Sequence, residues 1–272
     1  TALYNVFIGS NPGGSISSPS STQGCTGTTF SFPFANVAGN SPGTDYYIYV
    51  NDGSDTLHYT QETLPSTFIH TFDSTSCGIA PNNTFTISYS IVNPCGETPG
   101  TIGGIRISKK AEADFSIAPN DTTCVGNTIT LTNTSTVGST VPNAGNGACT
   151  NGKTIWEITP AAGWTINTGS LGSNNSLPNN PDAWTSGTDV VQVIFNTPAT
   201  YTIKIITGTT RCGLDTMTRT ICVNPLPTAT IAGTTEVCMN TTAPLISFTG
   251  ASSSNPYIFY YRINGGPLLN VI

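Results

Sequence analysis

The stretch "IITGTTRCGLDTMTRTICV" (205–223) decides the fold. Apolar residues alternate with threonine and other polar groups around a turn-forming centre, as half-buried strands require. Cys212 and Cys222 flank the closing strand, at opposite ends of it and too far apart to share a metal ion or a redox disulfide. The "NPLP" that follows (224–227) reads as a joint to a next unit. The same marker occurs earlier as "IVNPCGETPGTIGGIRIS" (91–108), again followed by a joint, "KKAEADFS" (109–116).

A second marker repeats three times. "GCTGTTFSF" (24–32), "TCVGNTITL" (123–131) and "VCMNTTAPL" (237–245) share one layout: a cysteine, a short polar spacer, then a strand. The spacings, 99 residues from Cys25 to Cys124 and 114 from Cys124 to Cys238, match an immunoglobulin-sized sandwich of about 100 residues. Together the markers place one unit at 1–110, a second at 111–224 and a partial third at 225–272. Both ends read as cuts in a longer, processed chain. The opening "TALYNVFIGS" has neither a basic segment nor a long apolar one, so it is not read as a signal peptide.

The rest of the chain agrees. No dozen residues carry apolar positions at helical spacing, whereas strand patterns recur. They fall at 28–34, 45–51, 66–72, 84–92, 102–108, 113–118, 128–134, 153–159, 189–195, 200–206 and 216–223. Turn clusters such as "NDGSD" (51–55) separate them. The expected fold class is all-β, with tandem immunoglobulin-like antiparallel sandwiches, two complete and one partial.

Composition narrows the function. Charged residues make up 8% of the chain, against roughly a quarter in average proteins, and Ser, Thr, Asn and Gly fill the gap. Hydrophobic content of 37% is enough to build cores. A net charge of −6 with eight Lys and Arg excludes a phosphate-binding surface, so no nucleic-acid partner is expected. No run of 18 apolar residues suggests a transmembrane helix. Eight cysteines without a C-x-x-C pair point to disulfides in an oxidising compartment rather than to zinc. The expected location is extracellular, at a cell surface.

No catalytic constellation is read, and neither a cofactor nor a metal is expected. There is no G-x-S-x-G elbow, and the two histidines, His58 and His70, fall on neighbouring expected strands as surface positions. The 14 acids scatter through turns. "DGSD" (52–55) could offer oxygens to calcium but lacks a closing glutamate and reads as a hairpin turn. Trp156 is expected in a core, and Trp164 and Trp184 near loops, anchoring them or facing a sugar ring.

The stretches "ADFS", "GNTITLTNTS", "IWEITP" and "VIFNTPATYTIKI", with the following "CG" and "ICV", resemble PKD-type immunoglobulin-like domains. The likeness is to the tandem versions in giant surface proteins of Bacteroidota, including gliding-motility adhesins exported by the type IX system. "PYIFYYRINGG" (256–266) also resembles their repeats. "IWEITP" stands where many such domains have W-D-F-G-D-G, so no calcium feature is carried over. The resemblance implies a semi-rigid stalk in adhesion or gliding motility. Its implied partners are adjacent repeats of one long chain, the secretion and motility machinery, and surface polysaccharide. A glycan- or protein-binding module and an accessory region of a secreted enzyme are the other readings. It also implies O-glycosylation at Asp-Ser/Thr motifs, on Thr56, Ser74, Thr122 and Thr216.

With strands running alternately up and down, Cys124 can reach Cys222, and Cys149 can reach Cys212. Cys25 and Cys77 share an end, leaving Cys95 and Cys238 odd; Cys77 with Cys95 is the alternative.

Overall fold

In the computed structural model, residues 9–145, 147–233, 236–252 and 256–272 are described. The reading of residues 1–8 as part of no signal peptide lies outside them. The described residues up to 108 hold eight strands: β1 (Ser15–Ile16), β2 (Gln23–Cys25), β3 (Thr28–Ala35), β4 (Asp45–Val50), β5 (Leu57–Thr60), β6 (Thr67–Phe72), β7 (Phe85–Asn93) and β8 (Gly96–Ser108). They form two sheets, ordered β1-β3-β6 and β2-β8-β7-β4-β5. The next stretch holds β9 (Phe115–Ala118), β10 (Thr122–Cys124), β11 (Thr128–Asn133), β12 (Ser139–Thr140), β13 (Thr150–Asn151), β14 (Lys153–Thr159), β15 (Trp164–Thr168) and β16 (Gly172–Ser173). It continues with β17 (Thr185–Ser186), β18 (Val190–Phe195), β19 (Ala199–Thr209) and β20 (Gly213–Asn224). Its two main sheets are ordered β15-β18-β11-β9 and β10-β20-β19-β14.

Both units are immunoglobulin-like sandwiches, and each carries one parallel pairing within an otherwise antiparallel frame. β2 runs parallel to β8, with Cys25 opposite Ser108, and β10 runs parallel to β20, with Cys124 opposite Asn224. The long hairpin β19–β20 aligns from Ala199↔Val223 to Thr209↔Gly213. Gly213 takes a φ of 83° there, which a Cβ would strain.

Each sandwich closes its own core. The first buries Phe32, Phe68, Phe72, Phe85, Ile87 and Ile105. The second buries Trp156, Phe195, Tyr201, Ile203, Ile205 and Ile221. The alternation that marked the strands is the alternation of burial: in β18, Val191, Val193 and Phe195 are inside while Val190, Gln192 and Ile194 face outward or to the edge.

Tyr201 shows how a strand start is fixed. Its ring is in the core, and its Oη lies 3.0 Å from the carbonyls of both Gly163 and Thr197, so the hydroxyl can donate to either. Gly163 sits at φ 89°, and a Cβ there would lie 2.4 Å from that hydroxyl. Gly163→Ala therefore combines a left-handed backbone with a clash. It is expected to cost about 2–3 kcal/mol, read as a lower urea midpoint.

Residues 228–271 hold β21 (Thr228–Gly233), β22 (Ile246–Ala251), β23 (Phe259–Tyr261) and β24 (Leu269–Val271). They pair as two separate ribbons, β21–β22 and β23–β24. None of the described residues from 228 to 272 is buried. Phe248 of the first ribbon meets Phe259 and Tyr261 of the second, with ring centroids 5.5 and 5.4 Å apart, but two ribbons of two strands are too small to close a core.

Candidate functional site

The joint between the two sandwiches gathers the cysteines. Its chain, residues 109–114, does not hang free. Lys109 and Ser139 exchange both backbone hydrogen bonds (2.9 and 3.0 Å), as do Glu112 and Thr136 (2.9 Å each). Lys110 N–H donates to Thr26 Oγ1 at 3.1 Å, and Val141 N–H donates to Ser108 Oγ at 3.0 Å. Ser108 and Val141 are buried there. The Gly138 backbone approaches so closely that a Cβ would lie 2.9 Å from the Lys109 carbonyl.

This joint turns the last end of the first sandwich toward the first end of the second. Cys25, at the end of β2, bonds Cys212, in the β19–β20 turn, with Cα atoms 5.8 Å apart. Cys77, between β6 and β7, bonds Cys149, just before β13, with Cα atoms 6.1 Å apart. Around them Arg211 Nη1 donates to Gln23 Oε1 at 2.6 Å, and its other terminal nitrogen donates to Asn143 Oδ1. Asn83 Nδ2 donates to the Gly147 carbonyl at 3.0 Å.

These bonds correct the expected pairings. Cys25–Cys77 and Cys149–Cys212 do not form, and neither does Cys77–Cys95. The strand topology sorts cysteines by end within one sandwich but says nothing about two ends facing each other across a short joint. Both bonds cross it. Cys124–Cys222 does not form either, because the register sets Thr122, not Cys124, opposite Cys222. Both remain free thiols, as do Cys95 and Cys238.

His58 keeps the surface position expected of it, and His70 does not. His58 is on β5 and His70 on β6, in different sheets. His58 is exposed, stacked on Tyr47 at 4.7 Å and 2.8 Å from Asp45 Oδ1. The side chain of His70 is only 12% exposed, and its Nε2 lies 2.6 Å from Asp52 Oδ2. The expected "NDGSD" turn supplies that acid. Asp52 Oδ1 also accepts from the Ser54 N–H and hydroxyl. The acid thus stands between serine and histidine, and His70 is bonded to the acid rather than to Ser54 Oγ, so the histidine is not placed to activate that hydroxyl. Among the described residues, no group of three or more His, Cys, Asp or Glu could hold a metal ion.

Burial pushes the Asp52 carboxyl up, but hydrogen bonds from Ser54 and His70 outweigh it and hold the pKa below the ordinary aspartate value. A group lowered in the folded state contributes stability above its unfolded pKa, near 3.9, and loses it as pH falls through the folded value. The difference in urea midpoint between wild type and Asp52→Asn is expected to shrink as pH falls below about 4. Asp52→Ala, which strands His70, is expected to cost about 1–3 kcal/mol.

Of the tryptophans, Trp156 is in the core. Trp184 is buried too, against Ile155 and Ile206, with Nε1 donating to the Leu177 carbonyl at 2.7 Å. It anchors a loop and presents no face to a sugar. Trp164 is half-buried and donates to the Pro160 carbonyl at 2.8 Å. Two exposed aromatics, Tyr47 and Tyr49, line a shallow groove of about 510 Å³ with Ser88, Ser90 and Glu97. The four candidate sugar acceptors, Thr56, Ser74, Thr122 and Thr216, are all exposed, and Thr122 and Thr216 lie within strands.

No family model matches this chain, and no curated protein matches it. Among solved structures, the chain is similar to the insect immune protein hemolin (9% identity, TM-score 0.41), covering 83% of this chain and 49% of hemolin. It is similar also to the three N-terminal domains of the bacteriophage RB49 outer capsid protein Hoc (11% identity, TM-score 0.30), covering 95% of this chain and 79% of that one. A two-domain fibronectin type-III segment of chicken tenascin has 14% identity and a TM-score of 0.28 over 78% of this chain and 98% of that one. The chain thus spans about half the length of hemolin.

Proposed function

We propose that this chain is a rigid stalk segment of an extracellular, cell-surface adhesin. The carrying observation is the pair of disulfides across the joint. A tension applied at the chain ends passes from Cys25 straight to Cys212, a sequence separation of 187, and the chain between them bears none of it. The sandwiches are shielded from unravelling, and the joint is held at three kinds of contact: disulfide, side-chain hydrogen bond and backbone pairing. Such bonds persist outside the cell, where thiols are not kept reduced. A surface of few charges and many hydroxyls suits that setting.

The sequence resemblance extends this reading to PKD-type repeats of gliding-motility adhesins from Bacteroidota, exported through the type IX system. In that reading the partners are neighbouring repeats and the motility machinery, and Thr56, Ser74, Thr122 and Thr216 accept sugars. The Tyr47–Tyr49 groove favours a second reading, a surface-polysaccharide module, since exposed aromatic faces stack on sugar rings.

Two measurements separate these. A stalk segment gives no signal above background on a glycan array. In cells carrying the whole surface protein, Cys25→Ser/Cys77→Ser lowers attachment under flow at unchanged surface level. Glycan binding lost in Tyr47→Ala/Tyr49→Ala would favour the second reading, and unchanged attachment of the cysteine variant would sink the first.

A further inference from the structure

Asn-Gly occurs three times in the chain, at 146–147, 151–152 and 264–265. At such a step the glycine nitrogen is uncrowded, and it can reach the side-chain carbonyl carbon of the asparagine before it. Residue 146 lies outside the described residues; the other two steps are held in opposite ways. Asn151 is in β13, paired with Ser139 of β12. The Gly152 N–H donates to the Gly138 carbonyl at 2.6 Å, and Gly152 is buried. A Cβ on Gly152 would lie 2.5 Å from the Gly208 carbonyl oxygen. That nitrogen cannot turn on its neighbour without opening the β12–β13 pair. Asn264 and Gly265 instead form the centre of a turn, with φ of 49° and 72°, closed by the Gly266 N–H donating to the Ile263 carbonyl at 2.9 Å. Positive φ at both central residues is the type I′ geometry that Asn-Gly favours. Both residues are exposed, and a Cβ on Gly265 would meet nothing within 4 Å. The turn's bond uses the Gly266 N–H, and the Gly265 N–H donates to no acceptor among the described residues.

We infer that Asn264 is a site of spontaneous covalent modification, its amide converted to a carboxylate through a cyclic imide, and that the fold spares Asn151. The Gly265 nitrogen gives its proton to hydroxide and bonds the Asn264 side-chain carbonyl carbon. The bond from that carbon to the amide nitrogen breaks, and ammonia leaves, taking a proton from water. One water then opens the ring. Attack at the side-chain carbonyl gives aspartate. Attack at the backbone carbonyl gives isoaspartate, in which the main chain runs through the former side-chain carbon. The sum is one water consumed and one ammonia released, with no oxidant or reductant. Either product adds a negative charge two positions from Arg262, whose Nη1 donates to the Gly266 carbonyl at 2.9 Å. The isoaspartate also lengthens the turn between β23 and β24. The change runs one way and accumulates with the age of the folded protein.

The test ages the whole chain in mildly alkaline buffer, folded in one set and in concentrated urea in the other. Samples are reduced and digested, and the mass gain of amide-to-acid exchange is followed at each asparagine. Fragmentation separates Asn151 from Asn146, whose own rate does not enter the comparison. In urea the two steps are expected to react within about twofold of each other, because the structure that distinguishes them is gone. In the folded protein Asn264 is expected to keep its rate within a few-fold. Asn151, which reacts only when its strand pair opens, is expected to slow by about tenfold or more. Two products are expected at 264, one of them eluting with the peptide of Asn264→Asp and the other, the isoaspartate, apart from it. Folded rates that are equal at the two steps, an Asn264 that stays intact while urea releases it, or a single product that elutes with the Asn264→Asp peptide would overturn the inference.

Discussion

Pulled from its two ends, the oxidised protein is expected to lengthen by roughly 600 Å less than the reduced protein, at about 3.4 Å per extended residue. The reason is the path of the force. The Cys25–Cys212 bond spans 187 residues, and the Cys77–Cys149 bond lies inside that span, closing 72. Nearly the whole of both sandwiches is therefore bypassed while the outer bond holds. The nested order makes the single variants unequal. Cys77→Ser/Cys149→Ser should leave the unfolded length unchanged, because the outer bond still carries the load. Cys25→Ser/Cys212→Ser should release all but the inner loop, leaving roughly 250 Å still hidden at the same rise per residue. Single-molecule extension reads these lengths directly. Two equal steps in the oxidised protein, one per sandwich, would mean that the bonds lie within the sandwiches and not between them. In the chain-entropy model the outer bond also stabilises the pair by about 5 kcal/mol, and the inner one adds less because its loop is already confined.

The strands were legible because burial in a two-layer sandwich alternates, and alternation is visible in sequence. β14, expected at 153–159, spans Lys153–Thr159, and Trp156 within it is in the core. What stayed hidden is of two kinds. Short strands such as β2 and β10, three residues each, are too brief to alternate. They form because a long neighbour, β8 or β20, offers an open edge. Contacts between units are the other kind. All four bonded cysteines stand out in the sequence, and strand direction sorts them by end. The choice of partner depends on the Lys109–Ser139 and Glu112–Thr136 pairings that seat one sandwich on the next, and no periodicity encodes those. His70 escaped for a similar reason. A histidine in "STFIHTF" resembles any outward residue until Asp52 arrives from the opposite sheet.

The second large effect belongs to Trp156. Its indole is 3% exposed and meets the Phe115 ring edge-on at 5.3 Å. Its Nε1 donates to the Thr188 carbonyl at 3.1 Å, and its backbone lies opposite Ile205 in the pairing of β14 with β19. Trp156→Ala empties the centre of the second core and leaves that carbonyl without its partner. The expected cost is about 3–5 kcal/mol, a large part of the roughly 5–15 kcal/mol that holds a typical domain. Trp156→Phe keeps a ring against Phe115 but not the donor, and should cost less. The loss should also stay local. The two hydrophobic cores share no residue, and the disulfides join loops and strand ends, not core faces. Hydrogen exchange in Trp156→Ala is therefore expected to rise across β11, β14, β18 and β19 while β3, β6 and β7 keep their protection. Equal loss in both would show that the staples couple the folding of the two sandwiches, and the joint would then be part of one cooperative unit.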